Sequence, residues 1–541
     1  MEKTKSPTKG FAILSAAGII NKILSVAYLP LLIQIIGSLG YGIYSAGYKI
    51  YAFIYILTNS GFPIGISKLQ AELIAHENYR DARRSFRIIR FVMTLYGLFM
   101  AVLTALLARQ LTGAIHSERA YLVILALSPT MLFTAVSSTY RGYFNGNSNM
   151  KPTAVSQIIE QFLNVVFSLT FAVIFMPYGV EWGCAGATVG TTLGALSSAL
   201  YLKHTYNRSA HMLHRKTSED IGRLSYSAII KKFLFYAVPI AINSVVVFGG
   251  DLVDLANTQS RLLASGFSAK DAYIKYGLLN KYSSLLNVPL AITSALYIAV
   301  MPSFSAALAL NDTKRLKYNI NEAFRISLSI SIPAATGLTI LSKPIFLMLF
   351  SRYSDGWYLM AYGAVVVILF SIVQIQAGIL QSVNKTQLST FSMLIGIFIK
   401  IFINYYLISI PSLNVMGAVI GTIVCFIIVI YLNRIFIKKH LPIMVSFKRH
   451  MGRPAISSAV MALTAGITYK LFYMILGFIK SPYLINAIST ILAVIIGISS
   501  YVIVMIRVGG LSLDDLNTLP HSRSIKKFIP PFILSMVKDQ K

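Results

Sequence analysis

The chain has 541 residues, of which 56% are hydrophobic and only 12% are charged, and its mean hydropathy is +0.68. A soluble domain usually carries about 25% charged residues, so this composition excludes an ordinary soluble enzyme or binding domain. In a soluble protein the formal net charge of +30 would suggest nucleic-acid binding, but the positions of the basic residues favour another interpretation.

Fourteen apolar segments follow one another along the chain, each near the length of about 20 residues that a spanning helix needs. We predict spans at 11–37, 41–66, 88–108, 120–145, 153–176, 183–202, 233–260, 273–301, 319–342, 358–383, 387–409, 415–433, 454–477 and 483–506. The first apolar run is too long for a cleavable signal peptide. The longest other pieces, 203–232 and 507–541, are too short to bury a catalytic core. The sequence therefore predicts an all-α polytopic membrane protein.

Lysine and arginine alternate between rich and poor connections. The rich set, which includes both ends of the chain, holds 33 of these residues, and the alternate connections hold eight. Because cytoplasmic loops carry the excess of Lys and Arg, we expect the rich connections and both termini in the cytoplasm. The surplus charge then meets anionic lipid headgroups, and we expect no nucleic-acid partner.

The two halves of the chain share short motifs in the same order. At offsets of 231, 236 and 239 residues, Gly186–Thr191 matches Gly417–Thr422, Gly142 matches Gly378, and Pro63 matches Pro302. One half contains six spans, an even number, so both halves insert with the same orientation. Such a parallel repeat is typical of transporters that work by alternating access.

The repeat predicts a domain layout of two pseudo-symmetric six-helix lobes that face a central cavity. The N-lobe covers 1–205, a cytoplasmic linker covers 206–232, and the C-lobe covers 233–440. Two further helices in 454–506 have no counterpart in the repeat, and 507–541 forms a basic cytoplasmic tail.

Five cations and three carboxylates fall well inside the predicted spans. They are Lys22, Lys49, Arg141, Lys281, Lys400, Glu160, Asp251 and Asp254. A charge inside the bilayer is expensive and usually faces a cavity or a partner. The surplus of cations favours a positively biased cavity for a phosphate-bearing substrate. The alternative is snorkelling or pairing between helices, in which Arg141 and Lys281 neutralise Glu160 and Asp254.

Polar residues also recur on one face of the fifth span. Steps of three and four residues place these side chains together: Gln157, Glu160, Gln161, Asn164 and Ser168. Lys400 and Asn404 repeat part of this pattern in the eleventh span. The stripe lines a water-filled cavity or forms hydrogen bonds between helices. The candidate cavity residues are thus Lys22, Lys49, Arg141, Asn145, Gln157, Glu160, Gln161, Asn164, Lys281 and Lys400.

A tyrosine ladder follows one face of the second span, at positions 41, 44, 48, 51 and 55. Such a face stacks on sugar rings or packs against other helices.

No motif for ATP binding is present, and Cys184 and Cys425 both lie within spans, where they predict neither a disulfide framework nor a metal site. We expect no cofactor. Transport must then draw on an ion gradient, the membrane potential or the substrate gradient, with Glu160, Asp251 and Asp254 as candidate ion-coupling residues.

Several motifs resemble those of a known family. The first half has Lys9-Gly10, Asn59–Pro63, Ile66–Lys68, Arg141–Gly146, Pro152–Ala154 and Glu160-Gln161. The second half has Arg261-Leu262, Gly266, Tyr276-Gly277, Asn287–Pro289 and Met301–Ser303. They resemble the stage V sporulation protein B-like branch of polysaccharide exporters. This branch lies in the MOP superfamily with the MATE drug antiporters and the lipid II flippase MurJ.

The resemblance implies a MATE- and MurJ-like fold of 14 transmembrane helices in a bacterial cytoplasmic membrane. It implies a flippase for an undecaprenyl-diphosphate-linked saccharide, either lipid II or another cell-envelope polysaccharide precursor. In that family a cationic cavity receives the diphosphate-sugar head, and Arg141, Lys49 and Lys281 are the best candidates for it. Where relatives often have arginines in the first span, this chain has Leu29 and Gln34, which leaves other lipid-linked glycans open.

We expect as partners the lipid-linked saccharide, membrane lipids and a coupling monovalent cation, and we expect a monomer that is not an enzyme. The main alternative is a cation-coupled MATE-type multidrug antiporter, for which Glu160, Asp251 or Asp254 would be essential. A membrane enzyme that polymerises or transfers glycans is a third interpretation, but the outer loops 261–275 and 343–357 are short and lack a catalytic acidic pattern.

Overall fold

The computed structural model describes residues 7–213, 224–310, 312–441 and 450–510. Most of the predicted tail 507–541 and part of the predicted linker 206–232 lie outside the described residues. Long apolar runs form the helices, and polar caps start several of them. At the start of the helix Tyr226–Ala264, for example, the Ser225 hydroxyl accepts a hydrogen bond from the amide of Ala228.

The described residues contain eighteen α-helices. In chain order, α1 to α18 are Pro7–Asn59, Phe62–Ala75, Tyr79–Leu106, Ala108–Ala114, Tyr121–Leu127, Thr130–Gly146, Lys151–Phe175, Val180–Leu213, Tyr226–Ala264, Ala269–Ala309, Thr313–Ile340, Ser342–Phe350, Trp357–Gly363, Val366–Ser382, Thr386–Ile408, Met416–His440, Gly452–Ile475 and Pro482–Arg507.

The predicted all-α class is confirmed for the described residues, and the chain is a multi-pass membrane protein. Eight helices of the described part are long and apolar enough to cross a membrane, or up to ten if each of two bent helix pairs is one span. The count of fourteen spans stays a prediction. The first predicted span, 11–37, lies within α1, and the second, 41–66, begins in α1 and continues into α2. Gly37 breaks α1 between them with a φ of 72° and a ψ of 179°. Such a φ is accessible to glycine at little cost.

The helix bounds repeat along the chain as the motif offsets predict. α3 and α11 each have 28 residues, begin 234 positions apart, and are capped by side-chain oxygens of Asn78 and Asp312. α6 and α14 each have 17 residues and begin 236 positions apart. Each is the second part of a bent pair, with bends of 42° and 46°.

The connections between helices repeat as well. Residues with positive φ recur at offsets of 229 to 236 and pair Gly37 with Gly266, His116 with Ser351, Ser148 with Asn384, and Gly179 with Asn414. At Ser148 and Asn384 the backbone hydrogen bonds of the turn also match one to one. Because three of these four pairs combine residues of different types, the repeat is clearer in the backbone than in the sequence.

The chain divides into two compact units. The first comprises 1–280 with 404–418, and the second comprises 281–403 with 419–541. In the first unit, buried apolar side chains of α2, α3, α6 and α9 form a shared core. In the second unit, α10, α11, α14 and α16 do the same.

Candidate functional site

The Arg141 guanidinium, on α6, is held by side chains of two neighbouring helices. Its Nη2 atom donates to Glu160 Oε2 on α7 at 2.5 Å and to Ser198 Oγ on α8 at 2.9 Å. Its Nε atom donates to Ser156 Oγ at 3.1 Å. The side chains of Arg141 and Glu160 are 13% and 26% exposed. The predicted pairing of Arg141 with Glu160 is therefore present, and two buried hydroxyls complete it.

Close packing of α8 on α7 sets the position of Glu160. Gly186, Gly190 and Gly194 of α8 all face the α7 backbone, and a Cβ atom on any of them would lie within 2.5 Å of an α7 atom. At Gly194 that atom is the carbonyl oxygen of Glu160. Small residues four apart allow such approach, and Ser198 continues the series by one more turn. This spacing is the signal that could have identified Ser198, which sequence reasoning did not single out as a partner of Arg141.

A second ion pair joins α1 to α9. Lys49 Nζ donates to Asp251 Oδ2 at 2.5 Å, and the two side chains are 26% and 54% exposed. Lys49 lies 12 residues after the break at Gly37, which places it about 18 Å along the helix axis. Since the hydrocarbon core is about 30 Å thick, the pair lies well within a span that starts at Gly37.

Asp254, one turn beyond Asp251 on α9, has an amide partner. Its Oδ1 atom accepts from Nδ2 of Asn404 at 2.8 Å. Further along α9, the Arg261 guanidinium lies 4.1 Å from the centre of the Tyr405 ring. α9 thus presents two carboxylates that contact different side chains, a cation for Asp251 and an amide for Asp254.

Part of the polar stripe of α7 forms hydrogen bonds within α7 and to a neighbouring helix. Asn164 Oδ1 accepts from Ser168 Oγ at 2.8 Å and from Thr191 Oγ1 on α8 at 3.2 Å. Asn145 Oδ1, on α6, accepts from Thr153 Oγ1 at 2.8 Å. Asn164 matches the alternative in which the stripe joins helices, and Asn145 contacts α7 from outside the stripe. Gln157 and Gln161 are half-buried.

The tyrosine ladder lies on one face of α1, as its spacing predicts. Successive ring centres from Tyr41 to Tyr55 are 5.6–6.3 Å apart. Tyr41 and Tyr51 are buried, whereas Tyr44, Tyr48 and Tyr55 are half-buried. Burial of two rings means that they pack within the unit, so sugar stacking stays open for the other three.

The remaining candidate cations have different surroundings. Lys22, on the first part of α1, is exposed. In the second unit, Lys281 is 1% exposed, and its Nζ atom donates to the backbone carbonyl of Tyr353 at 2.7 Å. Lys400 is 6% exposed. Lys281 thus donates to a backbone carbonyl oxygen and not to Asp254, the partner that the alternative prediction named.

Two features of the first unit can recognise an anion. Arg141 carries five N–H donors in a planar fork, and Lys49 carries a compact charge that is only partly exposed. Both now contact carboxylates. A phosphate group offers more charge and more acceptor oxygens than a carboxylate, so it can take the place of either partner.

The comparisons with known proteins agree on one relationship. Residues 8–308 match the family model described as polysaccharide biosynthesis protein. The lipid II flippase MurJ of Bacillus subtilis (strain 168) is 24% identical over 491 residues, which cover 87% of this chain and 89% of that protein. Stage V sporulation protein B of the same organism is 25% identical over 471 residues, which cover 85% and 88%.

Solved structures share the fold. The lipid II flippase MurJ in an inward closed conformation matches with a TM-score of 0.65 at 13% identity, covering 92% of this chain and 97% of that one. An inward-facing multidrug resistance MATE transporter of the MOP superfamily matches with a TM-score of 0.61 at 15% identity, covering 82% and 100%. The predicted MATE- and MurJ-like fold is confirmed by these two matches.

Proposed function

This chain belongs to the polysaccharide biosynthesis protein family, within the MOP superfamily of flippases and transporters, and from that membership we propose that it carries an undecaprenyl-diphosphate-linked saccharide across the bacterial cytoplasmic membrane by alternating access. The saccharide is that of lipid II or of another cell-envelope polysaccharide precursor. The proposal includes the fourteen spans, the cytoplasmic termini, the lobes 1–205 and 233–440 with their appended helices, and a monomeric state.

The arrangement around Arg141 is the observation that carries the proposal. Arg141 lies five residues before the end of α6 at Gly146, which is about 7.5 Å along the helix axis. By the distribution of Lys and Arg, that end faces the cytoplasm. A headgroup arriving from the cytoplasm therefore meets the guanidinium within about two helical turns.

Exchange of partners at Arg141 is the proposed binding step. The diphosphate accepts hydrogen bonds from the guanidinium, and the Glu160 carboxylate, whose side chain is 26% exposed, turns away from it. Ser156 and Ser198 continue to hold the guanidinium in place. Charge-assisted, bidentate contacts of this kind are the strong ones in phosphate recognition. The site thus holds its cation neutralised until the substrate replaces the carboxylate.

The ion pair of Lys49 and Asp251 provides a second place for the same exchange. Asp251 is 54% exposed, so it can leave Lys49 and remain hydrated. Released Asp251, together with Asp254, is a candidate binding group for a coupling cation. In the second unit, Lys281 and Lys400 stay candidate substrate-binding residues, as does Lys22 in the first unit.

Depletion of the protein in its native host tests the proposal directly. The lipid-linked intermediate that the protein transports should accumulate on the inner leaflet, and its chemical analysis identifies the saccharide. A plasmid copy of the parent sequence should reverse the accumulation, whereas a copy with Arg141→Glu should not. If no lipid-linked intermediate accumulates, the proposal is wrong.

A MATE-type antiporter is the second candidate, because the MATE fold matches over the whole length of that structure and three carboxylates lie on α7 and α9. This alternative places the essential chemistry on acids. Expression of the protein should then lower drug accumulation in a sensitive host, and Asp251→Asn or Asp254→Asn should abolish the effect. An unchanged drug content would remove this candidate.

A further inference from the structure

A cavity of about 390 Å³ with basic side chains in its lining lies in the second unit, where α17 and α18 pack near α11. Its lining includes Asn321, Arg325, Ser329, His450, Arg453 and Met505. None of these residues belongs to the candidate site described above. The cavity therefore needs an explanation of its own.

Hydrogen bonds orient the basic side chains of this cavity. Arg325 Nε donates to Glu322 Oε2 at 3.0 Å, and His450 Nε2 lies 3.2 Å from Asn321 Oδ1. Arg453 Nη1 donates to the carbonyl oxygen of Gly509 at 2.7 Å. This hydrogen bond holds one N–H of the Arg453 guanidinium and so fixes the orientation of the whole group. Two guanidinium groups and an imidazole at one cavity are chemistry suited to an anion.

Comparison of the two repeats shows that two polar lining residues of α11 are special to the second unit, whereas a third, Asn321, corresponds to the basic residue Arg87. At the offset of 234 between α3 and α11, Arg325 corresponds to Phe91 and Ser329 to Leu95. Phe91 and Leu95 are 65% and 51% exposed, as expected for side chains that face acyl chains. α11 has instead an arginine and a serine at the face that the two appended helices cover. The polar lining accompanies α17 and α18, which have no counterpart in the first half.

The position of the cavity indicates the source of its ligand. It contacts the first part of α11, the start of α17 and the end of α18, which are cytoplasmic ends by the distribution of Lys and Arg. The cytoplasmic leaflet is rich in anionic headgroups, and basic pockets between helices at that level bind them. We propose that this cavity binds a phosphate group, carried by an anionic membrane lipid or by a soluble phosphate ester, between Arg325, His450 and Arg453.

Lipid binding to the purified full-length protein tests the proposal. Native mass spectrometry in detergent counts the phosphatidylglycerol molecules bound by the parent and by Arg325→Gln, Arg453→Gln and Arg453→Lys variants. Phosphatidylcholine serves as the neutral lipid, and glycerol 1-phosphate serves as the soluble ester. Arg434→Gln is the matched control. Arg434 is an exposed cation near the end of α16 that the distribution of Lys and Arg places in the cytoplasm, and it does not line the cavity.

We expect the parent to bind phosphatidylglycerol more tightly than phosphatidylcholine. Loss of either cavity arginine should weaken that binding about tenfold, Arg453→Lys should restore part of it, and Arg434→Gln should leave it unchanged. Displacement of the lipid by glycerol 1-phosphate assigns the site to a soluble ester, and retention of the lipid assigns it to the headgroup. If Arg325→Gln does not fold because Glu322 loses its partner, the Arg453 pair of variants decides alone.

Two outcomes overturn the proposal. Equal phosphatidylglycerol binding by the parent and the Arg453→Gln variant shows that the cavity does not hold the phosphate. A loss of equal size in Arg434→Gln shows that general surface charge, not this cavity, attracts the lipid.

Discussion

Gly194 of α8 faces the backbone carbonyl of Glu160 so closely that a Cβ atom there would lie 2.5 Å from the oxygen. The helices α7 and α8 therefore meet at the same turn at which the Glu160 side chain accepts from Arg141. Packing and charge placement are coupled at this point, because any side chain at position 194 displaces the residue that neutralises the arginine.

Substitution Gly194→Val should destabilise the protein and disturb the arginine site together. Overpacking a tight contact costs about 1–3 kcal/mol. Gly113→Ala is the control, since a Cβ atom there meets no atom within 4 Å. Cys184 and Cys425 are buried thiols, so a thiol-reactive dye reports unfolding as temperature rises. An unchanged unfolding temperature in Gly194→Val would contradict the tight approach of the two helices.

Reversal of the ion pair of Arg141 and Glu160 separates packing from substrate recognition. Arg141→Glu alone places two carboxylates together and should lower both stability and transport. The double variant Arg141→Glu/Glu160→Arg restores an ion pair, so its unfolding temperature should recover. Transport should stay lost, because the cation no longer lies on α6 between Ser156 and Ser198. Recovery of full transport by the double variant would show that only the pair, and not the position of the cation, matters.

Much of this arrangement could be predicted from the sequence, because periodicity decides which residues share a helix face. The tyrosine ladder and the α7 stripe follow from steps of three and four residues, and the repeat follows from nearly constant offsets. The partner of each charge could not be predicted in the same way. Pairing depends on the rotation of one helix against another. Arg141 donates to Glu160, as one of the two predicted alternatives stated. Lys281 donates to the Tyr353 carbonyl and not to Asp254, which the same alternative named as its partner.

The ion pair of Lys49 and Asp251 should matter more for transport than for stability. Asp251 is 54% exposed, and a pair that faces a water-filled cavity, as the proposed function requires, contributes about 1 kcal/mol or less. Asp251→Asn should therefore leave the unfolding temperature almost unchanged while it lowers transport at a fixed membrane potential. Asp271→Asn, at an exposed carboxylate near the start of α10, is the control. Equal transport by both variants would remove Asp251 from the mechanism.

Acidification should loosen the contact between α2 and the start of α9. Glu72 accepts from Lys232 Nζ at 2.5 Å and from the Tyr236 hydroxyl at 2.9 Å. The hydrogen bond from Lys232 lowers the pKa of Glu72 below its ordinary value of 4.5. A lowered folded-state pKa means that this contribution is complete above the unfolded value and is lost as pH falls through the folded one.

The expected effect at Glu72 is small, because both side chains are about a third exposed (31% and 38%) and water screens the pair. The parent should lose slightly more thermal stability than Glu72→Gln when the pH falls from 7 to below 4.5. Glu77→Gln, an exposed neighbour, should behave like the parent. Identical acid dependence of the parent and Glu72→Gln would show that the contact adds no pH-dependent stability.

Lys281 provides the sharpest test of whether a buried cation serves function or structure. It is 1% exposed and contacts a carbonyl oxygen and, at 5.3 Å, the Phe350 ring. Neither of these two neighbours is charged, and the Asp355 carboxylate attracts the ammonium group electrostatically, which offsets part of its unfavourable burial. Methionine of similar length should therefore leave the unfolding temperature nearly unchanged. A protein that keeps such a residue without a gain in stability needs its charge for something else. Lys281→Met should therefore fold well and fail to transport, whereas Lys281→Arg should retain part of the transport. A Lys281→Met variant that is strongly destabilised would instead assign the lysine to the support of the segment around Tyr353.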